Sequence, residues 1–211
     1  MSKKITVLVT GIGGGGHGEQ ILKALRLADP DLTIVGTDIT PFSSGLGLVD
    51  HPYLISKASD PDYFPALMRL CEKHGVQAMF HGSEPELRVM AAHRLEIENK
   101  GIILPINPDS VIDTCMKKVR TTDCLRKHEF AYPLYAEITD CEQLKDFPTY
   151  PAVLKPSVGG GGSAMTGVAQ TYEEAVYLGQ QLLDLSGRFI IQEYVGTPDD
   201  EYTIGVLIDM D

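Results

Sequence analysis

Apolar residues occur in short runs along the first half of the chain, separated by glycine or proline. The run at 5–10 predicts a buried strand, and the glycine-rich stretch 11–18 leads from it into a helix with an apolar stripe. The same pattern predicts strands at 32–37, 76–80 and 102–104, and helices at 62–74 and 85–100. Strands that alternate with helices favour a parallel sheet covered on both faces, so we expect an α/β, Rossmann-like domain at 1–108.

The pattern changes after Pro133. Thr139 and Thr171 are each followed three residues later by glutamate, which is the spacing of a capping box at the start of a helix. The predicted helices are two short ones within 109–129, then 140–146 and 172–186, and the predicted strands are 152–155, 164–169, 189–193 and 201–208. This order predicts a small α+β domain at 109–211 rather than a second Rossmann unit.

Composition and charge narrow the function classes. Apolar residues make up 43% and charged residues 22% of 211 residues, as in a soluble globular protein, and no run approaches the ~18 apolar residues of a membrane span. The net charge of −11 argues against a nucleic-acid or anionic-membrane surface. Four cysteines without C-x-x-C spacing, and no export signal, predict reduced thiols in a cytoplasmic protein: Cys71, Cys115, Cys124 and Cys141.

The first glycine loop fits a dinucleotide-binding fingerprint. Gly11, Gly13 and Gly16 lie between a strand and a helix, and Asp38 ends the next strand, where an acid can take ribose hydroxyls. Glycines at this point also serve simply to allow a tight turn, or to admit a ligand that is not a nucleotide. His17, at the start of the helix, is expected to be neutral and to face solvent.

The second glycine loop predicts phosphate binding more strongly. A buried strand ends at Lys155, and the loop Gly159–Gly162 with Ser163 follows it directly. A lysine, free backbone N–H groups and a hydroxyl together suit a phosphate, whereas a flexible hairpin connection would be the alternative. Lys117, Lys118 and Arg120 form a second basic cluster, which alone is typical of a solvated helix face.

Taken in order, these segments resemble the ATP-grasp superfamily, and most closely the carbamoyl-phosphate synthase large-subunit type. Residues 1–108 resemble the domain that precedes the ATP-grasp fold, and 109–211 resemble its first lobe, truncated before the second. Lys118 and Thr121 lie where the family has a D-K-x-x-T segment, but Lys117 stands in the place of the acid. The segment 81–86 resembles the strand-end segment of the preceding domain that carries an acid.

The resemblance implies a role for individual residues. It assigns substrate binding to Gly13, Gly14, Gly15 and Glu84, although Glu84 could equally cap its helix. It assigns ATP binding to Lys118, Lys155, Gly159, Gly160, Gly161, Gly162, Ser163, Glu193, Val195 and Glu201. Glu193 and Val195 would recognise adenine mainly through backbone groups, and Glu201 would bind the ribose. Catalytic and metal-binding residues are expected beyond residue 211, with none in this chain.

The activity implied by the resemblance is that of an ATP-dependent ligase. ATP with Mg²⁺ would phosphorylate a small-molecule carboxylate to an acylphosphate, and an amine or similar nucleophile would displace the phosphate. We expect these 211 residues alone to be inactive, no nucleic-acid or membrane partner, and compatibility with a homo-oligomer. Two alternatives stay open, namely a Rossmann NAD(P)-binding oxidoreductase or epimerase and a non-catalytic ligand-binding module.

Overall fold

The computed structural model describes residues 4–28, 31–157, 165–197, 199, 202 and 204–206. The chain divides into two compact units, Met1–Asp109 and Ser110–Asp211, called here the N-terminal and C-terminal units. In the described part of the chain, no helix combines the length and the apolar character that crossing a bilayer requires.

The N-terminal unit contains one parallel sheet with the strand order β3-β2-β1-β4. Its strands are β1 (Thr6–Thr10), β2 (Thr33–Asp38), β3 (His51–Leu54) and β4 (Ala78–Phe80), and its helices are α1 (His17–Ala28), α2 (Tyr63–His74), α3 (Glu84–Ala92) and α4 (Arg94–Asn99). A 3-10 helix, Ser44–Leu48, connects β2 to β3. The predicted α/β fold with a parallel sheet is therefore confirmed.

Apolar residues cover both faces of this sheet, as a parallel sheet requires. Leu8, Val35 and Met79 pack with the buried side of α2 on one face. Val7, Val9 and Ile34 pack with Leu22 of α1 on the other face. The alternation of adjacent β1 residues between the two clusters explains why its three central residues, Val7, Leu8 and Val9, are all apolar.

Three details of the N-terminal unit differ from the predictions. Strand β3 was not predicted, and Pro52 within it is a residue that normally argues against a strand interior. The helix predicted at 85–100 is two helices, because the chain turns at His93, whose ring stacks on Phe64 at 3.7 Å. The strand predicted at 102–104 is reduced to one bridge between Ile103 and Ala78.

The C-terminal unit contains an antiparallel sheet with the order β5-β8-β6-β7. Its strands are β5 (Tyr135–Ile138), β6 (Ala152–Pro156), β7 (Gly167–Ala169) and β8 (Phe189–Glu193), and its helices are α5 (Asp109–Met116), α6 (Lys118–Lys127) and α7 (Tyr172–Ser186). Helix α7 covers one face of the sheet, where Leu182 packs with Leu154 and Phe189. Gly179 allows this approach, because a Cβ there would lie 2.8 Å from the Phe189 ring.

Two predictions for this unit need correction, and two fall partly outside the described residues. Strand β5 was missed. The segment Cys141–Asp146 is a 3-10 helix capped by Asp140 with Gln143, rather than by Thr139 with Glu142. The strand predicted at 164–169 is observed at Gly167–Ala169, while residue 164 and most of the strand predicted at 201–208 lie outside the described residues.

Candidate functional site

An open cavity of about 610 Å³ lies in the C-terminal unit, where β8 ends. One side is formed by the segment that enters β5, and the other by the last residues of β8 and the chain that follows. Its lining residues are Ala131, Tyr132, Pro133, Val153, Gln192, Glu193, Tyr194, Val195, Thr197 and Tyr202. Both the volume and the mixture of aromatic and polar lining residues are typical of a small-molecule site.

Lys155 stands beside this cavity on the central strand β6. Its Nζ donates a hydrogen bond to Oε1 of Gln192, one of the lining residues, at 2.6 Å. Burial lowers the pKa of Lys155, and the positive charge of nearby Lys118 lowers it further. Two cations held near each other form a positive site that would be stabilised by an anion such as a phosphate group.

Glu193 and Leu134 connect the two sides of the cavity. The Glu193 N–H donates to the Leu134 carbonyl at 2.8 Å, and the Leu134 N–H donates to Oε2 of Glu193 at 3.1 Å. Tyr194 N–H is taken by the Pro151 carbonyl at 3.2 Å. Among the described residues, the Val195 N–H has no such partner, so it is available as a donor beside the cavity.

The junction between α5 and α6 positions Lys118 as the first residue of α6. The Thr121 hydroxyl donates to the Thr114 carbonyl at 2.9 Å and so links the two helices. Lys117 forms a salt bridge with Asp113, which also pairs with Arg120. Position 117, where the resemblance led us to expect an acid, therefore holds a lysine that is paired with an acid of α5.

Several predicted ATP-binding residues lie outside the described residues. These are Gly159, Gly160, Gly161, Gly162, Ser163 and Glu201. The described chain continues one residue past β6 to Ser157, a buried residue whose hydroxyl has no partner within the described part of the chain. Of the predicted ATP-binding set, the structure thus brings together Lys118, Lys155, Glu193 and Val195 around one region of the C-terminal unit.

In the N-terminal unit, the first glycine loop lies at the carboxyl end of β1. Gly14 and Gly15 have φ values of 73° and are exposed, with open space where a side chain would be. Gly13 is instead covered, because a Cβ there would lie 2.1 Å from the Ser43 hydroxyl. Of the three glycines expected to face substrate, only Gly14 and Gly15 present open backbone.

Hydrogen bonds within the N-terminal unit already engage two groups that a dinucleotide would use, the Gly15 N–H and the Asp38 carboxylate. The Gly15 N–H donates to Oε2 of Glu19 at 2.7 Å, so an acid already stands at the beginning of α1. Asp38 is only 8% exposed, and its Oδ1 accepts from the Thr40 N–H at 3.2 Å. A phosphate beside Glu19 would meet a like charge, and a ribose would have to displace a hydrogen bond from Asp38.

Glu86, rather than Glu84, is the buried acid near this loop. Its carboxylate accepts hydrogen bonds from the Ser83 hydroxyl at 2.8 Å, the Gly82 N–H at 3.2 Å and the Tyr63 hydroxyl at 3.3 Å. Burial raises the pKa of Tyr63, and the charge of Glu86 raises it further. Glu84 is exposed in the first turn of α3.

One residue of the candidate site was missed from the sequence. Gln192 was read only as part of a strand, yet it lines the cavity and binds Lys155. A polar residue one position before the end of the strand, directly upstream of Glu193, was the available signal.

The described residues do not bring three or more His, Cys, Asp or Glu side chains together in a group that could hold a metal ion. The four cysteines are free, with Cys71 buried and its pKa raised by burial to about 12. The described residues therefore provide no separate protein cage for a divalent cation such as Mg²⁺.

Comparison with protein families gives a match over much of the N-terminal unit. Residues 7–105 match the family model of the PylC-like N-terminal domain. None of the curated protein sequences matches the chain significantly.

Solved structures match nearly the whole chain. The ADP complex of N5-carboxyaminoimidazole ribonucleotide synthetase has a TM-score of 0.68 at 20% identity, covering 92% of this chain and 49% of its own. The L-amino acid ligase from Bacillus licheniformis has a TM-score of 0.67 at 16% identity, covering 92% and 45%. The biotin carboxylase domain of Hydrogenobacter thermophilus 2-oxoglutarate carboxylase, with MgADP, ADP and bicarbonate, has a TM-score of 0.67 at 20% identity, covering 90% and 44%.

These neighbours are ATP-grasp enzymes, and the chain has the fold of their N-terminal portion. The predicted resemblance to the ATP-grasp superfamily is thereby confirmed at the level of the fold. The chain spans about half the length of the solved structures it matches.

Proposed function

We propose that this chain is the nucleotide-binding portion of an ATP-dependent ligase of the ATP-grasp type. The observation that carries the proposal is the cavity at the end of β8, with Lys155 bound to one of its lining residues and Lys118 close by. A cavity lined by apolar and aromatic residues, next to two lysines, matches the two ends of a nucleotide.

Each group around the cavity has a distinct part in this proposal. The rings of Tyr132, Tyr194 and Tyr202 would enclose the purine, and main-chain groups of Glu193 and Val195 would meet its polar edge. Lys155 and Lys118 would bind the phosphate groups, and their positive charges would offset negative charge on the phosphoryl group during transfer. The predicted roles of Gly159–Gly162, Ser163 and Glu201 remain part of the same proposal.

The chemistry of the whole protein is proposed from the relatives. ATP with Mg²⁺ would supply the phosphoryl group that activates a carboxylate as an acylphosphate for attack by an amine or similar nucleophile. Since the chain spans about half of the matched structures, we propose that these 211 residues bind the nucleotide but do not complete the reaction alone. The free cysteines suit a cytoplasmic enzyme.

For the N-terminal unit, we propose a role on the substrate side, carried by the open backbone at Gly14 and Gly15. Glu84 is the exposed acid of the first turn of α3, where it is available to an amine-bearing substrate. The NAD(P)-binding alternative is disfavoured by Glu19, whose carboxylate takes the Gly15 N–H that a pyrophosphate would need.

The test is a thermal-shift titration of this chain with ATP–Mg²⁺ and, separately, with NADH. Binding only to the folded chain raises Tm as ligand is added. We expect ATP–Mg²⁺ to stabilise the chain, and Lys155→Ala to remove the stabilisation. The matched control is Lys145→Ala, since Lys145 is an exposed lysine of the same unit that pairs with Glu142.

A rise in Tm with NADH that persists in the Lys155→Ala variant would contradict the proposal. It would indicate that the nucleotide binds at the first glycine loop instead. Steady release of ADP by this chain well above background, in the presence of an amine and a carboxylate, would contradict the proposal that these 211 residues do not complete the reaction alone.

A further inference from the structure

The ends of β5 and β8 depart from a regular antiparallel ladder at the edge of the cavity. In such a ladder, two facing residues exchange both of their N–H···O bonds. Leu134 and Glu193 form only one of the two, from the Glu193 N–H to the Leu134 carbonyl at 2.8 Å. The returning N–H of Leu134 donates to the Glu193 carboxylate at 3.1 Å instead of to the Glu193 main-chain carbonyl.

This substitution leaves the Glu193 carbonyl without its expected donor. The N–H and C=O of a strand residue point to the same side, so the carbonyl of Glu193 faces the chain that enters β5. The residue before Leu134 on that chain is Pro133, which has no N–H to donate. No other donor within the described residues replaces it.

A main-chain carbonyl with no partner needs water or a ligand donor, because leaving it dry costs about 1–3 kcal/mol. Glu193 lines the cavity, as do Gln192, which precedes it in β8, and Pro133, which precedes Leu134. The free carbonyl is thus an acceptor at the edge of the cavity, and the Glu193 carboxylate is what keeps it free.

We propose that the Glu193 carboxylate is a positioning group for purine selection. By holding the Leu134 N–H, it reserves the Glu193 main-chain carbonyl for the exocyclic 6-amino group of adenine. An acceptor at this place favours a 6-amino purine and disfavours a 6-oxo purine, whose oxygen would face the carbonyl oxygen. This inference rests on the proposed nucleotide site and adds the residue that sets its base preference.

A purely structural role for Glu193 makes a different prediction. If the carboxylate only joined β5 to β8, its removal would weaken the binding of every nucleotide alike. If it reserves the carbonyl, its removal lets the Leu134 N–H return to the regular ladder position. The 6-amino group then loses its acceptor, while a purine without that group loses nothing.

The experiment compares ATP with purine riboside 5′-triphosphate, which lacks the 6-amino group, by isothermal titration of this chain. The unsubstituted chain is expected to bind ATP about three- to tenfold more tightly than purine riboside 5′-triphosphate, which corresponds to the net contribution of one hydrogen bond. Glu193→Met, which keeps the length of the side chain without an acceptor, is expected to bring the ratio to about one. Glu193→Gln is expected to keep the original ratio, because its amide oxygen accepts the same N–H.

A second substitution tests the mechanism independently. Leu134→Pro removes the competing N–H at the entry to an edge strand, a position that tolerates proline. Combined with Glu193→Met, it is expected to restore the preference for ATP. Glu137→Ala is the control, since Glu137 is an exposed glutamate on β5 that faces Arg188.

A Glu193→Met chain that keeps the original ratio, or one in which both nucleotides weaken equally, overturns the inference. Should Glu193→Met fail to fold, Glu193→Ala with Leu134→Pro decides the same question, and a ratio near one in that chain overturns the inference. If the starting chain binds neither triphosphate, the proposed nucleotide site itself fails and the inference fails with it. If the starting chain binds both equally, only the inference fails.

Discussion

The Lys155 ammonium donates to the side-chain oxygen of Gln192 at 2.6 Å, and this bond joins the two central strands of the C-terminal unit beside the cavity. Because an ammonium can only donate, the oxygen of the Gln192 amide must face it, which leaves the NH₂ group of the amide for other partners. The lysine therefore orients a lining residue as well as carrying a charge toward the cavity.

We expect Lys155→Met to weaken ATP binding at least tenfold. A charge-assisted hydrogen bond to phosphate contributes about 1.5–3 kcal/mol, and the Gln192 amide also loses the partner that orients it. Isothermal titration measures the loss. Lys145→Met removes an exposed lysine paired with Glu142 and is expected to change the affinity less than twofold. Equal losses in both variants would show that general charge, rather than this site, determines binding.

We expect Lys118→Met to raise the pKa of Lys155. Burial lowers this pKa first and the Lys118 charge lowers it further, so removal of the charge leaves burial as the remaining cause. The pKa can be followed in the ¹³Cε resonance of Lys155 during a pH titration. Lys118→Arg keeps the charge and is the control.

The same shift has a consequence for stability. A lysine whose folded pKa lies below its unfolded pKa makes the unfolded chain bind more protons, so stability rises with pH between the two values. Lys118→Met is expected to reduce this rise. A pKa of Lys155 that is equal in both variants would place the cause in burial alone.

We expect Glu86→Ala to destabilise the chain by about 2–4 kcal/mol. Removal of the carboxylate leaves the buried Tyr63 hydroxyl without its acceptor and also takes a partner from Ser83 and Gly82. Glu84→Ala, two residues away and exposed, is expected to change stability by less than about 0.5 kcal/mol. Urea unfolding followed by circular dichroism gives both values. Similar losses for the two would contradict the assignment of Glu86 as the structural acid.

We expect Gly82→Ala to be one of the most damaging substitutions in the N-terminal unit. An added Cβ would lie 2.1 Å from the Thr10 carbonyl oxygen, so the strand-end loops would have to separate, at a cost of about 3 kcal/mol or more. Gly47→Ala, where no atom lies within 4 Å of the added Cβ, is the control. Thermal unfolding of the two variants compares them, and a Tm that is unchanged in Gly82→Ala would be inconsistent with the close packing.

Much of the fold could be predicted because its signals are local. The apolar run of β1 and the helix ends at Gly75 and Gly187 follow from residue types a few positions apart. The break at His93 could not be predicted, since it depends on stacking against Phe64, which lies on another helix. Strand β5 was missed because a segment of four residues shows little periodicity. Its extended conformation is set by pairing with β8, which lies far away in the sequence.

The same distinction between local signals and long-range contacts applies to the candidate site. Lys155 could be predicted because a strand delivers it into a glycine loop, a pattern visible within ten residues. The contribution of Leu134 could not, since it depends on the register between two strands that are 59 residues apart. Glu84 was selected over Glu86 because the sequence does not show which face of α3 is buried in a helix of only 9 residues.

The wide separation of Leu134 and Glu193 also bears on how the protein is made. A ribosome adds about 5–20 residues per second, so about 3–12 s pass between the appearance of one side of the cavity and that of the other. Among the described strands β5 pairs with β8, and it lacks this neighbour during that interval. The cavity is thus completed only after residue 193 has been added, and a nascent chain shorter than about 193 residues carries an open strand for chaperones to recognise.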